Sequence, residues 1–156
     1  MEKIELFRYL IKCASREGTN KYNQILKPLG ITANQSEVLL ILASHEPLSL
    51  KELGDLLICE KKSPSRLVQK LVDKKLVYKS QSLDDSRKSV LHLTQEGRNL
   101  IPEIHQLETV FNTTISEIFD DTTIDSLISF FEQYIKNTDS ELKIELRNRV
   151  EKNFSD

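Results

Sequence analysis

Between residues 60 and 88 the chain gathers nine basic side chains against four acidic ones, a local balance of +5 in a protein whose net charge is −2. Lys61, Lys62, Ser63, Ser65, Arg66, Gln69 and Lys70 fall early in this stretch, and Asp85, Ser86, Arg87 and Lys88 close it. These side chains suit recognition of nucleic acid. A guanidinium pairs with guanine O6 and N7, a Gln amide with adenine N6 and N7, and Ser or Lys with phosphate or either base edge. Asp85 stands two residues before Arg87, which lets its carboxylate hold the guanidinium ready for a narrow minor groove, where negative potential is strongest. Because many helices simply solvate a basic face and an exposed ion pair stabilises little, these residues gain meaning only from the elements that carry them.

Those elements read in order as helix, tight turn, helix and two strands. Ser49 with Glu52 three residues on is a capping box, and Leu50, Leu53, Leu56 and Leu57 give the helix it opens an inner stripe. The next helix starts between Glu60 and Pro64, with Ser63 as N-cap and Pro64 at a position where its missing donor costs nothing. Successive helical residues rotate by about 100°, which puts Pro64, Leu67, Val68, Leu71 and Val72 on one side. Lys62, Arg66, Gln69 and Asp73 fall on the other, with Ser63, Ser65 and Lys70 at the margins. Leu76–Ser80 and Ser89–Leu93 read as strands around the charged loop. A helix entering the major groove beside a basic loop reaching the minor groove is the logic of a winged helix-turn-helix.

Elsewhere the pattern is helical. Ile4, Phe7, Leu10, Ile11 and Ala14 mark one face of a helix over residues 4–29, ended by Pro28-Leu29-Gly30. Thr32 and Gln35 form a second capping box before the apolar run Val38 to Ala43, which predicts the most buried element. Thr94 caps a helix to Phe119 that should bend at Pro102. After Asp120–Thr123 a last helix carries Ile124, Leu127, Ile128, Phe131 and Ile135, with a weaker repeat through Leu142, Leu146 and Val150. These terminal helices exceed what the central unit needs, so their apolar faces predict a homodimer. The expected fold is mainly α with a small two- to three-stranded β-wing. Its divisions are 1–30, an N-terminal dimerisation helix; 31–100, the winged lobe; and 101–156, the C-terminal dimerisation helices.

Charge follows the same division. Residues 1–30 carry +3, residues 31–100 carry +2 and residues 101–156 carry −7, an acidic end that would repel DNA and orient its approach. Hydrophobic content of 38% with 29% charged residues fits a soluble globular chain. No N-terminal apolar run resembles a signal peptide and none spans a bilayer, so a cytoplasmic protein with no membrane partner is expected. Cys13 and Cys59 form no CxxC pair and read as reduced, mostly buried thiols. His45, His92 and His105 are scattered without ligand spacing, so no metal and no cofactor are expected. No nucleophile-base arrangement, Gly-rich phosphate loop or paired-carboxylate motif points to an enzyme, and no catalytic residue is assigned.

The ordered set Leu29-Gly30-Ile31-Thr32 with Gln35, Leu53-Gly54, Ser63-Pro64-Ser65-Arg66-Leu67-Val68, Leu76-Val77, Asp85-Ser86-Arg87 and Leu93-Thr94-Gln95-Glu96-Gly97-Arg98 resembles the MarR family of bacterial transcriptional regulators. It spans about two thirds of the chain, and the flanking helices extend it further. The resemblance implies a homodimer joined by its N- and C-terminal helices, with two winged lobes on a near-palindromic operator in double-stranded DNA. It implies that the helix over residues 61–75 enters the major groove and Arg87, supported by Asp85, the minor groove. It also implies repression, released when a phenolic or lipophilic small-molecule effector binds or when a cysteine oxidises.

Ala14-Ser15-Arg16-Glu17 resembles the first helix of the family's peroxide-sensing members, but Arg8 stands where their reactive Cys lies, and Cys13 occupies a different place. Lys61 and Lys62 beside Cys59 would lower its pKa if that thiol were exposed. Tyr9, Lys12, Arg16 and Tyr22 are effector candidates on the first helix, or else surface residues. The alternatives to an effector-released repressor are a winged-helix protein-interaction module and a cysteine-based redox-sensing regulator.

Overall fold

In the computed structural model, residues 1–59, 63–83 and 87–153 are described, with side chains as far as Arg147. Helix α1 spans Lys3–Leu26 and passes through a 3-10 turn over Lys27–Leu29 to Gly30, whose φ of 65° is the left-handed conformation that glycine adopts without strain. The Thr32/Gln35 capping box forms as predicted and opens α2, Ala33–His45, the most buried helix. The Ser49/Glu52 box forms likewise and opens α3, Leu50–Leu56. Helix α4 spans Pro64–Asp73. Ser63 is its N-cap residue by position, but its hydroxyl makes no capping bond, so Pro64 alone carries the predicted start.

Three antiparallel strands, in the order β1-β3-β2, complete the lobe. β2 (Val77–Gln81) and β3 (Ser89–Leu93) pair with Val77 opposite Leu93 and Ser80 opposite Val90. The two-residue β1, Leu48–Ser49, adds to the other edge of β3, a pairing too short to leave an alternating pattern. Leu39, Leu42, Leu53, Leu57, Val68, Leu71 and Leu91 meet in one core. Glu46 joins its layers, accepting the Leu93 N–H at 2.6 Å and an ion pair from Arg98. Helix α5, Gln95–Ser116, starts against β2 so closely that a Cβ on Gly97 would sit 2.2 Å from the Leu76 carbonyl oxygen.

Several expectations need correction. α1 and α5 stop three residues short of their predicted ends, in the turns Lys27–Leu29 and Glu117–Phe119. The predicted last helix is two, α6 (Asp121–Ile135) and α7 (Asp139–Asn153), because Asn137 turns left-handed with φ 62°. There the Thr138 hydroxyl donates to the Ile135 carbonyl, and Glu141 accepts from the Asn137 N–H. Leu50 is 38% exposed, since a helix of seven residues has room for one inner stripe and Leu53 and Leu57 fill it. Cys13 and Cys59 are both exposed and in no disulfide: one lies on the outer face of α1, the other in the turn after α3. Among the described residues, no helix is long and apolar enough to cross a membrane.

Candidate nucleic-acid interface

The buried stripe of α4 determines which of its side chains face outward. Leu67, Val68 and Leu71 lock one face into the core, leaving Ser65, Arg66, Gln69 and Lys70 exposed on the rest, with Ser63 half-buried at the start. The Gln69 amide donates to Asp73 Oδ1 at 2.9 Å, an exposed bond that fixes the amide's direction and is readily exchanged for a base edge. The far end of α4 is also held. Lys74 Nζ donates to the Gly30 carbonyl at 2.5 Å and to Gln35 Oε1 at 3.0 Å, tying the helix to the junction between α1 and α2.

Arg87 and Lys88 lie at the loop end of the β2–β3 hairpin, both exposed. The strand end of this loop is closed by the Ser82 N–H donating to the Lys88 carbonyl at 2.8 Å. Lys88 also faces the lobe. The Glu52 carboxyl is held below the usual carboxylate range first by the Ser49 hydroxyl and main chain, with a smaller contribution from the Lys88 charge. On the outer face of the hairpin Tyr78 stacks on His92 with ring centres 5.0 Å apart, and His92 Nε2 lies 2.9 Å from Ser80 Oγ. Lys61, Lys62 and Asp85 lie outside the described residues.

Two groups of residues escaped the sequence reading. Thr32, Asn34 and Gln35 at the start of α2 line the same recess as Ser63, Arg66 and Lys70. The capping box pointed to a helix start there, but only the tertiary packing brings it beside α4. Glu37 is the other. Its carboxylate accepts the Ile58 N–H at 2.8 Å and the Cys59 N–H at 3.1 Å, holding the turn that leads into α4. A single acid ahead of the apolar run of α2 was the available signal.

The four effector candidates do not converge. Tyr9 and Lys12 line a shallow groove with Arg8, Ile11 and Tyr134. Arg16 is paired with Glu17 at 3.0 Å. Tyr22 instead stacks on Phe111, with centroids 4.9 Å apart, where burial pushes its phenol up. A larger apolar cleft of about 730 Å³ lies between α1 and α5, lined among others by Ile25, Phe111, Ile115 and Phe119. It had no sequence signature, because its walls come from helices far apart in the chain.

Comparison with known proteins agrees with this geometry. The family of SarA/Rot transcriptional regulators matches over residues 20–104. An organic hydroperoxide resistance transcriptional regulator of Bacillus subtilis is 30% identical over 89 residues, 57% of this chain, which spans 60% of that relative. The HTH-type transcriptional regulator SarZ of Staphylococcus epidermidis is 30% identical over 107 residues, 67% of this chain and 71% of that one. A mutant of MarR from E. coli complexed with operator DNA superposes with a TM-score of 0.77 at 22% identity, covering 85% of this chain and 96% of that one. The MepR–DNA complex of S. aureus gives 0.76 at 22% identity, over 83% and 96%. At such identity the two structures speak for the fold.

Proposed function

The chain belongs to the SarA/Rot family of transcriptional regulators, winged-helix proteins of MarR-like fold, and from that premise we propose that it binds a near-palindromic DNA operator as a homodimer and represses transcription. α4 enters the major groove, where Ser65, Arg66, Gln69 and Lys70 meet base edges and phosphates. Arg87 enters the minor groove with support from Asp85, and Lys61, Lys62, Ser63 and Lys88 flank these contacts. The observation that carries this reading is the division of α4, whose donors are all exposed on the side away from Leu67, Val68 and Leu71.

The dimer forms through residues 1–30 and 101–156. Many of their apolar side chains remain uncovered in the single chain, among them Leu10 and Val110, and on α6 Ile128 and Phe131. An apolar effector entering the cleft between α1 and α5 would shift these helices and release DNA. DNA occupancy alone does this work, so no catalytic group is needed, and the cytoplasm is the expected setting.

Selection from a randomised duplex pool tests the proposal, followed by titration of the recovered site with wild type, Arg66→Ala and Arg87→Ala. A two-fold-symmetric site with half-sites about one helical turn apart is expected, and each variant should lose about 1–3 kcal/mol of binding. Weak, sequence-blind binding by the wild type would overturn the proposal in favour of a protein-interaction module. One observation favours a redox-responsive version of the same regulator: Cys13 is exposed on α1, with Arg16 Nη2 4.0 Å from its sulfur. Peroxide treatment that leaves operator binding of wild type and Cys13→Ser equal would exclude that version.

A further inference from the structure

Helix α7 has no part in the DNA contacts above, yet two of its cations are committed to the lobe. Lys143 Nζ donates to the main-chain carbonyls of Gly54 at 2.8 Å and Leu57 at 2.5 Å, at the end of α3. The last carbonyls of a helix lack partners within it and carry partial negative charge, so an ammonium there both satisfies and neutralises them. One turn further along, Arg147 Nη1 lies 3.1 Å from Glu37 Oε1. That same carboxylate accepts the N–H groups of Ile58 and Cys59.

The turn that launches α4 is therefore held from two sides. Lys143 fixes the carbonyls entering it, and Arg147 fixes the carboxylate that holds its amides. The Glu37 and Arg147 side chains are only 12% and 28% exposed, so this pair is screened less than a surface ion pair, and removing one partner leaves the other poorly solvated. In a segment carrying −7 overall, these two positive charges point back into the lobe, against the prevailing sign.

We propose that α7 is a clamp on the helix-turn-helix, in which Lys143 and Arg147 are positioning residues that set the angle of α4 and hence operator affinity without contacting DNA. The inference rests on the DNA-binding reading above, but the state of the turn has a readout of its own. The test uses the full chain as wild type, Arg147→Gln, Lys143→Gln/Arg147→Gln and Arg147→Lys. Lys136→Gln, at an exposed position between α6 and α7, serves as the charge-matched control. Affinity for the selected operator is measured at several salt concentrations, and amide hydrogen exchange is followed at Ile58 and Cys59.

The double variant should bind about tenfold more weakly with an unchanged salt slope, because no phosphate contact has been lost. Ile58 and Cys59 should exchange at least about tenfold faster in it. Arg147→Gln should show a smaller change of the same kind, Arg147→Lys should recover most of the loss, and Lys136→Gln should match wild type. Affinity within twofold of wild type would overturn the clamp, as would a salt slope reduced by about one for each cation removed, the signature of direct phosphate contact. If wild type selected no operator, the DNA reading would fall by itself, and exchange at Ile58 and Cys59 would still decide the clamp.

Discussion

The winged lobe and the terminal helices cover their apolar surface to very different extents. In the lobe Leu39, Leu42, Leu53, Leu57, Val68, Leu71 and Leu91 are fully buried by their own chain. In the terminal helices Leu10 is 57% exposed and Ile128 50%, although each belongs to a helical stripe as regular as those of the lobe. Equal periodicity with unequal burial separates two uses of one pattern. The lobe's stripes encode intrachain packing, whereas the terminal stripes face outward and suit association, as the proposed homodimer requires. α7 combines the two: its Leu142 and Leu146 are 58% and 42% exposed, while its Lys143 and Arg147 bind the lobe.

Substitution in each region should break the comparison if it is wrong. Leu42→Ala empties a site with no exposed surface and should destabilise the protein by about 2–5 kcal/mol in urea denaturation, largely independent of protein concentration. Ile128→Glu should leave the lobe intact but weaken self-association at least about tenfold, read as a shift toward monomer in sedimentation and as a concentration-dependent melting temperature. If Ile128→Glu unfolded the protein as severely as Leu42→Ala at every concentration, the terminal stripes would be intrachain core after all.

The same contrast explains what the sequence made legible. Local rules found both capping boxes, the Thr94 cap, the strands and the sidedness of α4, because each rests on residues within a few positions of one another. Sequence reasoning failed where partners come from afar. The β1 pairing, the Glu37 hold on the turn 21 residues away and the Lys143 contact 89 residues away leave no periodic trace. The break at Asn137 was missed for another reason: apolar residues continue beyond it at helical spacing, and a single left-handed Asn does not interrupt that rhythm. The outward-facing side chains of α4 were legible from its stripe alone, whereas the recess that Arg66 and Lys70 share with Thr32 and Asn34 needed the packing of α2 against α4.

The smallest expected effect comes from two caps, one in each region. Glu52 in the lobe is held low by the Ser49 hydroxyl and main chain, and Asp120 at the start of α6 by the Thr123 N–H, which it accepts at 2.8 Å. A carboxyl lowered in the folded state contributes stability that is fully present above its unfolded pKa and is lost as pH falls through the folded value. Both caps should therefore weaken on the acid side of the ordinary carboxylate range. Glu52→Gln and Asp120→Asn retain a capping oxygen without the titration, so each should flatten the acid limb of the urea midpoint against pH while changing neutral stability little. The regions should then part company. Flattening by Glu52→Gln should be the same at all protein concentrations, because α3 packs within its own lobe. The response to Asp120→Asn should depend on concentration, because in the proposed homodimer α6 gains its remaining burial from a second chain. Identical concentration dependence for the two variants would mean that α6 is stabilised within its own chain as the lobe is.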